Sequence, residues 1–152
     1  VNLYGWLKVL HVLAAVAWVG AAATVSAMVF PLGRAGNRAT FAAILPAAVG
    51  FLRRVIGPAA GLVMLSGIGM GIVGHLGMQL WVALGLVGVL LHFIFGATVI
   101  RRSWAQLARL ATASPPDEAA FVAAVRRADV AYRYYVLLLV SVIVVMVLKP
   151  TL

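Results

Sequence analysis

Cysteine is absent from the 152 residues. That excludes disulfides, thiolate metal sites, cysteine nucleophiles and covalent haem attachment through a Cys-x-x-Cys-His motif. Acidic side chains are nearly as scarce: Asp117, Glu118 and Asp129 stand against twelve Lys and Arg, for a net charge of +9. None of the three lies inside a long apolar run, so a closed metal cage with a buried carboxylate has no candidate. The five methionines show no Met-x-x-Met clustering and read as apolar filler. Ser66 and Ser141 are isolated, as hydroxyls that bond their own helix backbone would be. Charged residues make up 10% of the chain, against about 25% in an average soluble domain. What remains is 65% hydrophobic. The composition is that of a membrane protein, and the length that of one domain, 1–152.

Four apolar runs reach the ~20 residues that a hydrocarbon core requires. They cover about 3–30, 55–74, 79–100 and 130–148. The first is too long for a signal-peptide core and reads as a retained span. It is expected to end at Pro31-Leu-Gly-Arg-Ala-Gly, a cluster of helix breakers. Residues 38–52, interrupted by Pro46, are too short to span and are expected to form an interfacial helix or an early turn of the next segment. The second span carries Gly57, Gly61, Gly67 and Gly71 at four-residue spacing, a pattern for close helix approach, including self-association. After the third span the helix continues through Ser103 to Thr112 and breaks at Ala113-Ser-Pro-Pro. Ser114 is expected to cap the next helix, with Pro115 in its first turn. Asp129 is placed to pair with Arg126 or Arg133 on its own helix.

Arg34, Arg38, Arg53 and Arg54 lie in the first connection, and Arg101, Arg102, Arg109, Arg126 and Arg127 in the third. The second connection, around His75, has none. This is a topology pattern rather than a nucleic-acid patch. It predicts connections one and three in the cytoplasm, with both termini and His75 outside. The fold class that follows is an all-α, up-down-up-down bundle of four transmembrane helices, with helices 3 and 4 extended into the cytoplasm. Its first partner is the lipid bilayer.

Chemistry centres on the histidines. An ionisable side chain inside a span is a functional hypothesis by default. His11 sits in LKVLHVLAAVAWVG, with Lys8 and Trp18 on its helical face and small alanines between. His92 lies in the third span, with Gly85, Gly88 and Gly96 on its face, so one imidazole is expected to project from a groove. Measured from the outer ends of their spans, His11 lies roughly 12 Å deep and His92 roughly 20 Å deep. A bis-histidine haem would need the two nearly level. His75 at the outer rim would cap a helix, face solvent or join His11 in a copper site. The structural alternative makes both buried histidines interhelical hydrogen-bonders.

The opening LYGWLKVLHVLAAVAWVG, with Lys8, His11, Trp18 and Gly20 at that spacing, resembles the first helix of a superfamily of small bacterial membrane proteins. The superfamily includes CopD-like copper-resistance proteins, HemJ-like protoporphyrinogen oxidases and an uncharacterised branch that the whole layout matches best. The resemblance implies the bacterial inner membrane and, from its HemJ-like members, b-type haem on His11; from its CopD-like members, copper. The leading expectation is a haem b protein in electron transfer or oxidoreductase chemistry, with a quinone or another redox partner. Cofactor-binding residues would be His11, His92, Lys8 and Trp18, and metal-ligand candidates His11, His92 and His75. The alternatives are a cofactor-free assembly or partner-binding subunit and a copper-handling protein.

Overall fold

The computed structural model describes residues 2–150. Four helical rods, each long and apolar enough to cross a membrane, account for the fold, with no strand among the described residues. The first rod is α1 (Leu3–Arg34) and the second α2 (Arg38–Val73). The third comprises α3 (Leu80–Phe95), a π-helical turn over Gly96–Ile100 and α4 (Arg101–Thr112). The fourth is α5 (Glu118–Leu148).

Caps define the starts. Asn2 accepts from the Gly5 amide at 2.9 Å, and Asn37 from the Thr40 amide at 3.1 Å. The fourth rod is capped by Asp117, which accepts from the Ala120 amide at 2.8 Å. Ser114 was expected in that role. Instead Ser114-Pro115 is a cis peptide in the linker, and the helix begins three residues beyond Pro115. A carboxylate on the first turn satisfies free amides and also suits the helix dipole.

Prolines break less than the sequence suggests. Pro31, Pro46 and Pro58 all lie inside helices. Residues 38–52 are accordingly the first part of α2, the second of the two expectations, and not a separate interfacial helix. In an apolar medium a broken helix has no water to satisfy its freed backbone groups, so continuity wins. The first two turns use positive φ, at Gly36 between α1 and α2 and at His75 and Gly77 between α2 and α3; the third, over 113–117, does not.

The rods form a ring with one open seam. α1 packs along α2 and also against α5, and α5 packs on α3 and α4. α2 touches α4 but is barely in contact with α3. Gly67 and Gly69 let His11 and Leu7 of α1 lie against α2, whereas Gly57, Gly61 and Gly71 face open space rather than a neighbour. Gly85, Gly88 and Gly96 do not leave a groove: Met146, Val142 and Tyr135 of α5 fill it.

At the arginine-rich end, Asp129 is buried and bonded by Arg34 of α1 and by Arg133 one turn along α5, the latter at 3.1 Å. The intrahelical partner matches one of the two expected, and the link from α1 is new. Arg38 pairs with Glu118 at 3.1 Å and donates to the Ala113 carbonyl at 2.9 Å. These bonds tie the first connection to the third. At the opposite end Lys149 lies 5.3 Å above the Trp81 ring.

Candidate functional site

A cavity of about 830 Å³ occupies the open seam. One wall is α2, from Leu45 to Ala60; the other is the third rod, from His92 to Ala108. Trp18 of α1 and Tyr132 and Tyr135 of α5 form the floor. At a rise of 1.5 Å per residue the slot is roughly 24 Å long. The π-helical turn lies in the middle of the second wall, and such turns are frequent at functional sites.

A continuous row of aromatic rings runs along the floor and onto the wall formed by the third rod. Trp104 meets Tyr132 at 6.2 Å between centroids, and Tyr132 meets Tyr135 at 5.6 Å. Tyr135 lies 3.8 Å from His92, and His92 meets the edge of Trp18 at 4.6 Å. Trp104 is half-buried and the other rings are buried; His92 and Trp18 are each only 1% exposed. Yet both ring nitrogens of His92 and Tyr132 Oη have no hydrogen-bond partner in the protein, and Trp18 Nε1 approaches the Tyr135 side chain without good hydrogen-bond geometry. They are all the buried side-chain polar atoms so placed among the described residues, and all belong to cavity-lining residues. Each such atom costs about 1–3 kcal/mol if it stays unpartnered. All four atoms thus cluster around one cavity.

With the cavity and the four spans established, one comparison assigns the chain: a family model for predicted integral membrane proteins, DUF2269, matches residues 5–150. The chain belongs to the DUF2269 family. No curated protein and no solved structure matches it. The family description states membrane integration and no reaction, so the site of this DUF2269 member is read from its own residues.

The structure separates the expected site residues. His92 and Trp18 meet on the cavity floor. His11 lies on the α1–α2 face, where its Nδ1 is 3.1 Å from Ser66 Oγ. It is not among the residues lining the cavity. Lys8 is exposed, one turn before His11 on α1, and His75 is exposed in the α2–α3 turn. No three His, Cys, Asp or Glu side chains converge among the described residues, so His11, His75 and His92 do not share a site. The sequence reading missed Tyr132 and Tyr135, although their spacing of three puts them on one helical face with Asp129 and Leu139.

The His11–Ser66 bond has a direction. Ser66 Oγ already donates to the Leu62 carbonyl, so it accepts from His11 Nδ1–H. In the neutral ring the Nε2 lone pair is then left available. Gly67 makes room: a methyl group there would sit 3.3 Å from His11 Cε1. Replacing Ser66 with Ala should cost about 1 kcal/mol, the loss of one interhelical hydrogen bond. Thermal unfolding of the detergent-solubilised variant would show this, and an unchanged midpoint would mean that the bond contributes nothing.

Proposed function

We propose that this chain is a membrane-embedded binding protein for an apolar molecule that carries hydrogen-bond acceptors and enters the cavity from the bilayer through the α2–α3 seam. One observation carries the reading: every buried polar side-chain atom without a protein partner, among the described residues, belongs to a residue lining this cavity. Trp18 Nε1–H can only donate, Tyr132 Oη–H can donate and accept, and a neutral His92 offers one of each. All four atoms are covered, so the rings must turn toward the slot before carbonyl or hydroxyl oxygens on an apolar body can satisfy them. Quinones meet that description. The cavity also lies in the size range of small-molecule sites, about 300–1,000 Å³.

The test is equilibrium binding to protein in neutral-lipid nanodiscs, titrated with a short-tailed benzoquinone and followed by tryptophan quenching. Saturable quenching is expected, with affinity reduced about tenfold in Tyr132→Phe, which removes one donor and leaves its acceptor unpaired. Linear, unsaturable quenching with both the quinone and hemin would overturn the reading.

Haem b is a second reading, favoured by the two unpartnered nitrogens of His92 and by the resemblance of the first helix to HemJ-like proteins. When bound, haem supplies one-electron chemistry, with a potential set by its axial ligand and surroundings. The residues fit it in a restricted way. His92 is the one histidine lining the cavity, so a haem here would have a single histidine ligand and His11 would not be its second. Both His92 nitrogens are covered, so the ring must turn from its packing on Tyr135 to present one. A purified protein that is colourless, and stays spectrally silent when hemin is added, would remove haem and leave the wider reading standing.

A further inference from the structure

Two arginines line the cavity, one on each wall. Arg53 falls about midway along the α2 wall, between Leu45 and Ala60. Arg101 falls about midway along the facing wall, between His92 and Ala108. The two walls run antiparallel, so the guanidinium groups come from opposite sides at a similar level of the slot. The chain has three side-chain carboxylates, and each is engaged elsewhere. Asp117 caps α5, Glu118 pairs with Arg38, and Asp129 pairs with Arg34 and Arg133. Arg53 and Arg101 have no ion pair among the described residues, and no carboxylate side chain remains to supply one.

The same residues also act as topology markers, as arginines at the ends of spans commonly do. Arg54 and Arg102 fulfil that role equally well and do not line the cavity. What distinguishes Arg53 and Arg101 is that they line the slot from opposite walls at a similar level, with one half of the slot leading to Trp18 and His92. Arginine pairs with carboxylate and phosphate through parallel, charge-assisted hydrogen bonds.

We propose that the occupant of the cavity is a membrane-borne amphiphile with an acidic headgroup, a carboxylate or phosphate held between Arg53 and Arg101, whose apolar body lies along the slot toward Trp18 and His92. This rests on the binding role proposed above and adds the charge of the ligand. The headgroup lies where the arginines mark the membrane boundary, and the apolar body stays at hydrocarbon depth. Such a ligand moves in from the bilayer through the seam without passing through water.

The experiment uses the full chain in phosphatidylcholine nanodiscs and compares oleate with oleyl alcohol, matched in chain and different in headgroup charge. Oleate is expected to bind about tenfold or more tightly than the alcohol, as the loss of a charge-assisted hydrogen bond implies. Arg53→Gln and Arg101→Gln should each erase most of that preference, weakening oleate far more than the alcohol. Arg54→Gln and Arg102→Gln should leave the preference intact. Both arginines under test are exposed, so their replacement leaves the core undisturbed. Adding phosphatidylglycerol to the discs identifies the source: competition that disappears in Arg53→Gln makes the acidic group a phospholipid headgroup, and no competition makes it a free acid. Equal binding of oleate and alcohol to the unaltered protein would overturn the acidic headgroup and leave the cavity reading in place. So would loss of the preference in Arg54→Gln or Arg102→Gln, since general surface charge would then explain it. No saturable binding of either compound would overturn both.

Discussion

Replacing Asp129 with Ala is expected to lower stability by about 2 kcal/mol and the unfolding midpoint by about 4–8 °C. The carboxylate is 8% exposed and serves two guanidinium groups, Arg34 from α1 and Arg133 from its own helix. Removing it leaves two positive groups converging on one point. Breaking a fully buried pair typically costs about 3–5 kcal/mol. Here the arginine side chains are 39% and 65% exposed, and water takes up part of the lost interaction. The loss should be concentrated where α1 meets α5, so limited proteolysis near Gly36 should accelerate with it. A double variant, Arg34→Met with Asp129→Leu, should recover much of the loss, because an apolar pair of similar volume avoids desolvating two charges. Thermal unfolding followed by circular dichroism distinguishes the cases. An Asp129→Ala midpoint equal to that of the unaltered protein would show that the link between α1 and α5 is decorative.

How much of this could be read beforehand depends on how local the physics is. Four spans and the arginine-rich ends are properties of runs of twenty residues, and they are visible in composition and order. The unusual position of His11 is visible for the same reason: one imidazole stands out in an apolar run. Its partner is not, because Ser66 lies on another helix and nothing in either segment names the other. Asp129 shows the same division. Arg133, one turn away, follows from helical spacing, whereas Arg34 requires knowing that α1 lies against α5. Pro46 looked like an interruption because local propensity favours one, and the apolar surroundings override it. The glycines of α2 suggested close packing along the whole span, yet only part of that face meets α1. The cavity was the least legible feature. It exists because α2 and α3 fail to close, and an absent contact leaves no mark in either segment. Arg53 and Arg101 therefore read as topology until the two walls are set opposite each other.

The same open seam provides the strongest test of the site. Gly57 lines the cavity, and a Cβ built there meets nothing within 4 Å. A tryptophan at this position can project into the slot without straining its own helix. Gly57→Trp is expected to reduce binding of the amphiphilic probes by about a hundredfold or more, the outcome when a bulky ring takes the volume that the ligand would fill. It should not reduce stability. Glycine inside a helix costs roughly 0.5–1 kcal/mol relative to alanine, so a side chain here offsets part of its own ordering cost. Binding and stability should thus move independently, which a misfolded variant could not show. Gly61 supplies the control: it sits one turn along the same helix, also faces open space and does not line the cavity. Gly61→Trp should therefore bind as the unaltered chain does. If Gly57→Trp retains full affinity, the ligand does not lie between α2 and the third rod, and the unpartnered atoms of Trp18, His92 and Tyr132 are met in some other way.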